Sequence, residues 1–262
     1  MVNVLINLWL DGRNSCYLAY SRPANSLYLI NNAGDGYAGS MALNGSGTLG
    51  NSQCLINGAG SSVSGAGNTM TLALNMTFPA SFAGAKVMYL AARDVAESNS
   101  GWQRMGVWKV PGAAQTTTTT VAGLNPARGN GNTGTFTFTF TDTNGASDLG
   151  VMNILVNDWL DARHACYLAY ARGNNTLYLM NDNGDGQLPG KVLNGSGSLG
   201  NSQCTVNGVG SSASISGNIL TLTLNMAFGA GFAGNRVFYL AARDMNELNN
   251  TGWQAMGSWT VP

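Results

Sequence analysis

Alternation of apolar and polar residues is the dominant pattern along the chain. Apolar residues occupy every second position from Met70 to Phe78, and they do so again over residues 220–228. A period of two places one face of a strand against a core, whereas helical spacing would return apolar residues every three or four positions. The pattern therefore predicts amphipathic β-strands.

Short segments of the same kind recur along the chain. Turn-forming stretches such as NNAGDG, NGSG and NGAG separate them, as expected for strands joined by tight turns. In the first half, strands are predicted near residues 2–7, 16–20, 27–31, 53–57, 70–78, 86–93 and 102–110. This regular spacing of strands and turns predicts an all-β fold of the antiparallel β-sandwich type.

The chain contains an internal repeat. The segment from Asn3 to Pro111 returns 150 residues later as the segment from Asn153 to Pro262, with one extra residue near Thr251. Shared blocks include CYLAY, LNGSG, GNSQC and YLAARD. This period is too long for a solenoid or a propeller blade, so it predicts two homologous domains, each with its own core.

The segment between the two copies has no counterpart in the first copy. We expect domains at 1–111 and 133–262, with a linker or first-strand region at 112–132 and strands near 118–124 and 135–141. The second strand alternates three phenylalanines with threonines, and these are the candidate strand-exchange residues: Phe136, Phe138 and Phe140.

The first copy begins at Val2 without an equivalent of this strand, so an open groove is expected in its sandwich. An unpaired edge beside exposed core invites a strand from elsewhere. Three sources are open: residues 116–141 pairing back, another molecule, or a segment outside this sequence. A strand from another molecule would propagate head to tail into a fibre unless the rotation closes a ring.

Four cysteines fall two to a copy. Cys16 and Cys54 are 38 residues apart, as are Cys166 and Cys204, and the close CxxC pairs of a zinc site are absent. We expect one disulfide in each domain, and therefore a secreted or surface-exposed protein whose export signal lies outside this sequence.

Composition narrows the function. Among 262 residues, 12 Lys and Arg balance 12 Asp and Glu, so nucleic acid is not an expected partner, and no apolar run is long enough to span a membrane. The single histidine, His164, has Asn14 at its place in the first copy, so no repeated Ser/His/Asp arrangement exists. We expect a protein that is not an enzyme.

The stretches FTFTFTDTNGASDLGVMNILVN, ACYLAYARGNNTLYLMNDNGDG and NRVFYLAARDMNELNNTGWQAMGSWTVP resemble repeats of large secreted and surface proteins of bacteria. These repeats are Ig-like, cadherin-like or fibronectin-like β-sandwiches, and the resemblance covers both copies. It implies two tandem Ig-like antiparallel β-sandwich domains. It also implies roles as spacers, adhesins, carbohydrate-binding modules or filament subunits.

Calcium is an alternative for the turn-rich segments. Asn181, Asn183 and Asp185 have the spacing of the first ligands in a calcium-binding loop, with Asp35 in the corresponding turn of the first copy. A tight hairpin turn explains the same letters without a metal.

A cluster of charged residues at predicted strand ends is the other metal candidate. It contains Asp94 and Asp244, and its remaining members are Asp11, Arg13, Arg93 and Glu97, with Asp161, Arg163, Arg243 and Glu247 in the second copy. If the loops meet at one end of the sandwich, they form either a calcium site or a salt-bridge network.

Aromatic residues are the candidates for glycan binding. Tyr17 and Tyr28 have the parity of the outer face, and Tyr167 and Tyr178 repeat them. Trp9 and Trp159 lie at a predicted loop. Four further tryptophans share the parity of core residues and are expected to face the core: Trp102, Trp108, Trp253 and Trp259.

Together these patterns predict a non-catalytic extracellular structural or adhesive protein that acts through its surfaces. Its expected partners are itself or other surface proteins, with self-assembly into a fibre by strand addition as one mode. The alternative is a carbohydrate-binding module of a secreted enzyme or adhesin. No cofactor is expected unless calcium is bound.

Overall fold

The computed structural model describes residues 1–112 and 116–262, and the chain is all-β. It divides into two compact units, unit 1 (Met1–Ala113) and unit 2 (Ala114–Pro262). Residues 113–115, which belong to the predicted linker, lie outside the described residues.

Unit 1 consists of two sheets. Its described residues form nine strands: β1 (Val2–Asn7), β2 (Cys16–Ser21), β3 (Ser26–Ile30), β4 (Tyr37–Ala42), β5 (Thr48–Gly50), β6 (Leu55–Ala66), β7 (Thr69–Thr77), β8 (Gly84–Ala92) and β9 (Gln103–Val110). One sheet has the order β4-β3-β2-β1-β8-β9 and the other β5-β6-β7, with all neighbours antiparallel.

Unit 2 repeats this arrangement and adds three strands before it. Over residues 116–262 the strands are β10 (Thr119–Asn125), β11 (Arg128–Asn130), β12 (Thr133–Asp142), β13 (Leu149–Asn157), β14 (Cys166–Ala171), β15 (Thr176–Leu179), β16 (Lys191–Val192), β17 (Ser198–Gly200), β18 (Cys204–Ser216), β19 (Ile219–Phe228), β20 (Gly234–Asp244) and β21 (Gln254–Val261). The sheets have the orders β11-β21-β20-β13-β14-β15-β16 and β10-β12-β19-β18-β17. Only the β11–β21 pair is parallel within this part of the chain.

Short 3-10 helices connect some of the strands. In the described residues they are Ala80–Phe82, Ala146–Asp148, Arg172–Asn174 and Ala230–Phe232.

Each unit has its own core between its two sheets. In unit 2 the buried cluster joins side chains of β12, β18 and β19 to those of β13, β14 and β20. In unit 1 the buried cluster comes mostly from β1 to β3 and from the chain around β5 and β6, whereas the apolar residues of β7 are only partly buried. This difference between two homologous cores defines the candidate site.

Both predicted disulfides are formed. Cys16 is bonded to Cys54 and Cys166 to Cys204, and no free cysteine remains in the described chain. Each bond joins a strand of one sheet, β2 or β14, to the start of a long strand of the other, β6 or β18. All four residues are buried, so each crosslink fastens the two sheets through the core.

The NNAGDG turn joins β3 to β4. Gly34 has φ +79, and a Cβ at this residue would lie 2.9 Å from the backbone of Gly12. Glycine is therefore required twice over, by the left-handed backbone and by the close approach of the loop after β1.

The predicted NGAG turn is wrong. Residues 57–60 continue inside β6, where a bulge interrupts the pairing with β7 between Asn57 and Ser62. The Ser61 hydroxyl donates to the Asn57 carbonyl at 2.6 Å and accepts the Asn75 N–H at 2.8 Å, so it bridges the gap that the bulge opens. The glycines serve a bulge and not a chain reversal.

Replacing one cysteine pair at a time by alanine tests the crosslinks. Cys16→Ala with Cys54→Ala is expected to lower the free energy of unfolding of unit 1 by about 3 to 4 kcal/mol, because a loop of this length is released in the unfolded state. Scanning calorimetry of the full chain measures it, with Cys166→Ala and Cys204→Ala as the matched pair for unit 2. If neither pair moves a transition, the native protein does not contain these bonds.

Candidate functional site

An open groove runs along strand β7 of unit 1. β7 is the outer strand of its sheet and pairs with β6 alone among the described residues. Met70, Leu72 and Leu74 point toward the opposite sheet, yet each remains only half-buried. An edge with unpaired backbone groups beside an apolar face is a template for another strand.

The groove has a volume of about 690 Å³. Its walls are mostly apolar and come from β7 on one side and from β1, β8 and β9 on the other: Val2, Val4, Leu72, Leu74, Leu90 and Met105. Val2, Val4, Leu72, Leu74 and Leu90 are apolar residues of the kind that form the buried core in unit 2. The groove is therefore an incomplete part of the core and not a cleft between polar loops.

Unit 2 shows what completes the same position. Strand β12 lies antiparallel to β19, with Phe136 beside Leu224, Phe138 beside Leu222 and Phe140 beside Leu220. All six side chains have no solvent exposure. The three phenylalanines thus fill within unit 2 the space that stands open in unit 1, and they do not pair back onto β7.

The neighbouring edge of the larger sheet differs in the same way. In unit 2, β11 pairs with β21, and Trp259 packs edge-to-face on Phe136 with ring centroids 4.9 Å apart. The indole N–H donates to the Gly131 carbonyl at 2.7 Å. Trp108, the corresponding residue of unit 1, is 54% exposed, against 8% for Trp259.

The prediction that four tryptophans lie in the core is therefore right for Trp259, and it is wrong for the exposed Trp108 and for Trp102 and Trp253. A bulge in β9 between Arg104 and Gly106 reverses the alternation, so that Trp102 lies on the outer face against Tyr17. Trp253 packs on Tyr167 in the same way. Parity counting fails across a bulge because one extra residue turns every later side chain to the other face.

The candidate calcium turns are closed by their own hydrogen bonds. The Asn181 side-chain amide donates to Asp185 at 2.9 Å, and Asn31 does the same to Asp35. Asn183 is an exposed turn residue. These bonds support the hairpin-turn interpretation of both segments.

Asp94 and Asp244 also organise turns. Asp94 accepts the N–H groups of Ala96 and Ser98, and Asp244 those of Asn246 and Leu248, at 2.7 to 3.0 Å. The Asn249 amide, followed by these backbone donors, lowers the pKa of Asp244. Across the described residues, no three His, Cys, Asp or Glu side chains are grouped to hold a metal ion.

The condition that the charged loops meet at one end is not fulfilled. β1 and β8 are antiparallel neighbours, so the loop that follows β1 and the loop that follows β8 lie at opposite ends of the sheet. The same register separates the loops of unit 2. The charged residues therefore form two separate groups in each unit.

Each charged loop has its own ion pair. The Arg13 guanidinium lies 2.6 Å from Asp11, and Arg163 the same distance from Asp161. Hydrogen bonds from the arginine side chain and N–H lower the pKa of both carboxyls to about 2. At the other end, Arg93 pairs with Glu97 and Arg243 with Glu247. This is the salt-bridge alternative, with two local pairs in place of one network.

The outer face of each larger sheet has a small aromatic cleft. In unit 1, Tyr17, Tyr37 and Trp102 border a cleft of about 330 Å³, with Tyr28 packed against Tyr37. Desolvation by burial raises the pKa of Tyr17.

Unit 2 has a smaller cleft at the same place, about 210 Å³ beside Tyr167 and Tyr178. Gln187 stands there at the position of Tyr37. Desolvation likewise raises the pKa of Tyr167. The parity prediction for the four tyrosines is confirmed by these outer-face positions.

Trp9 and Trp159 lie in the loops that follow β1 and β13, and their exposed fractions are 47% and 39%. The structure brings neither of them into the clefts on the outer face.

Sequence reasoning anticipated the groove but not its second wall. The alternation predicts only that Trp108 faces the core, and it assigns no role to Val2, Val4 and Met105. The available signal was that β11 and its glycines have no counterpart before the first copy, although the Trp-bearing strand occurs in both copies.

No protein-family model matches the chain, and no curated protein is similar to it at a significant level.

Two equivalent leucines measure how open the groove is. Leu222→Ala is expected to cost unit 2 about 2 to 5 kcal/mol of unfolding free energy, because it removes a fully buried side chain. Leu72→Ala is expected to cost unit 1 about 1 kcal/mol or less, because Leu72 already faces solvent in part. Calorimetry of the full chain compares the two losses of unfolding free energy. The cysteine-pair variants show which melting transition belongs to which unit. Equal losses would mean that the groove is filled.

Proposed function

We propose that the chain is a non-catalytic extracellular structural or adhesive protein, joined to other chains by β-strand addition at unit 1. The observation that carries this proposal is the apolar groove beside β7, an outer strand that pairs with β6 alone in the described part of the chain. Strand addition supplies both missing elements together, since backbone hydrogen bonds pair the edge and alternate side chains fill the groove.

An extracellular location is supported by the two disulfides, which persist in oxidising compartments. In the described part of the chain, no helix is long and apolar enough to cross a membrane. The sequence resemblance to Ig-like repeats of bacterial surface proteins points to the same class of role, in which a sandwich supports a surface instead of a reaction.

A non-catalytic role is supported by the positions of the ionisable groups. Asp11 and Asp161 are held by arginines, whereas Asp94 and Asp244 cap turns. His164 lies on an exposed turn. These groups are used to shape loops, and no Asp or Glu among the described residues lines either aromatic cleft.

Self-assembly is the form that strand addition takes when the donor is a second copy. The groove is on unit 1 and the matching strand is in unit 2, so such a contact is heterologous and propagates into a fibre or closes into a ring.

A peptide of the sequence GTFTFTFTDTNG, residues 134–145, tests the proposal. It is expected to bind the full chain and raise the melting temperature of unit 1, since a ligand held only by the folded state adds stability by mass action. Light scattering and electron microscopy, with and without the peptide, show whether it also dissolves any assembly. The proposal is wrong if the chain is strictly monomeric and the peptide leaves the melting temperature of unit 1 unchanged.

Glycan binding through the outer face is the second candidate function. The observation in its favour is the repetition of the aromatic cleft in both units, with Tyr17 packed edge-to-face on Trp102 and Tyr167 on Trp253 at the same 5.7 Å. Aromatic rings beside amide and guanidinium groups, here Asn99 and Arg93, suit the apolar face and the hydroxyls of a sugar.

Pull-down on insoluble polysaccharides tests this candidate. Tyr37→Ala is expected to weaken saturable binding by about tenfold if the cleft of unit 1 holds the sugar, since one stacking contact is lost. Trp9→Ala serves as the control, because Trp9 is exposed outside the cleft. Equal loss in both variants, or no saturable binding, rejects the cleft as a glycan site.

A further inference from the structure

We infer that the groove of unit 1 accepts a whole three-strand segment of the kind formed by β10, β11 and β12, supplied as a segment that is not already folded into a unit of its own. The inference rests on the proposed strand addition and identifies its partner. The occupant is defined by chemistry: alternating large apolar residues and threonines, preceded by a glycine-containing strand.

The smaller sheet of unit 1 has two strands fewer than the smaller sheet of unit 2. In the described residues, three strands face six in unit 1, whereas five face seven in unit 2. The two extra strands of the smaller sheet are β12, which pairs with β19, and β10, which pairs with β12. A single added strand would pair with β7 but would supply only one of the two strands by which the smaller sheet of unit 1 falls short of that of unit 2.

The internal register of the segment is the second argument. The Thr119 hydroxyl donates to the Asp142 carboxylate at 2.6 Å, and both residues are fully buried. β10 and β12 therefore lock together at one end by a bond that a single strand cannot make. The segment therefore contains the hydrogen bond that holds its two long strands together, and it needs only an apolar groove to dock on.

The exposed ring of Trp108 also fits a three-strand occupant. Its counterpart Trp259 lies over Gly129 of β11, where a Cβ would come within 2.3 Å of the indole ring. The Gly131 carbonyl accepts the indole N–H. Trp108 presents the same ring on β9, which pairs with β8 alone among the described strands, so it is placed to meet a glycine-containing strand and a carbonyl acceptor.

The register follows from the equivalence of β7 and β19. An occupant with residues 119–142 would place Phe136 beside Leu74, Phe138 beside Leu72 and Phe140 beside Met70, antiparallel to β7. Only side chains at alternate positions enter the groove, so specificity lies in the phenylalanines and not in the threonines.

A second copy is not the favoured donor. Its own β12 is already paired along its length with β19, and its phenylalanines are fully buried. Moving that segment to another molecule fills one groove and opens an equivalent one in the donor, so the burial gained equals the burial lost. A free segment of the same chemistry has no such cost.

Two peptides separate the alternatives. One contains residues 116–145 and the other only residues 134–145, and both are titrated against the full chain. The long peptide is expected to bind one to one and at least about tenfold tighter, because it adds the β11 contacts and the second strand. Its binding should also shift Trp108 emission to shorter wavelength, a signal that Trp108→Phe removes.

Variants on β7 give the matched control. Leu72→Lys puts a charge into the groove and is expected to abolish binding, whereas Ala73→Lys puts the same charge on the exposed face of the same strand and should leave it intact. Equal effects would show that the peptide does not enter the groove.

The outcomes distinguish the inference from the proposal beneath it. If both peptides bind equally and Trp108 emission stays unchanged, the three-strand occupant is wrong but strand addition stands. Fibres of the chain alone, with β12 taken from a neighbour, would support strand addition and overturn the separate donor. If neither peptide binds and the chain stays monomeric, both fail.

A fusion avoids dependence on peptide solubility. Residues 116–151 are joined directly to Val2, which reproduces the connection that leads from β12 into β13 in unit 2. The fusion is expected to raise the melting temperature of unit 1 and to shift Trp108 emission as the long peptide does. An unchanged Trp108 signal in a folded fusion overturns the inference.

Discussion

The structure depends on one constraint: the apolar face of a strand in a two-layer sheet protein must be covered along its whole length. β7 and β19 have the same alternation of residues, yet the core-facing apolar side chains of β19 are buried and those of β7 are only half-buried. The difference lies outside both strands, in whether β12 is beside them. Two copies of one sequence pattern thus provide a comparison in which the covering layer is the variable.

Local patterns predicted much of this fold. The strands that alternate cleanly, such as β1, β7 and β12, lie where the sequence places them, and the duplicated cysteines pair within their copies. What failed was counting across irregular positions. The glycines of β6 read as a turn, and the extra residue in β9 reversed the expected side of Trp102. A bulge is decided by the partner strand, which a single segment of sequence does not contain.

The candidate sites also differ in how far the sequence alone could predict them. The groove could be predicted, because the strand that fills it occurs once in the chain while the strand beneath it occurs twice. The positions of the charged loops could not be predicted, since they depend on which strands are neighbours in the sheet. Placing β8 beside β1 sends the two loops to opposite ends, and no spacing in the sequence reports that order.

The position of the disulfides has a mechanical consequence. Each bond closes a loop of 38 residues between β2 or β14 and the opposite sheet, at the side of the sandwich away from β7 and β9. When a pulling force unravels a unit from its ends, the chain inside the loop cannot extend, so each unit withholds roughly 130 Å of contour length at about 3.4 Å per residue. A tether built from such units would lengthen in short steps. At each step the chain inside the disulfide-closed loop would stay unextended until the bond is reduced.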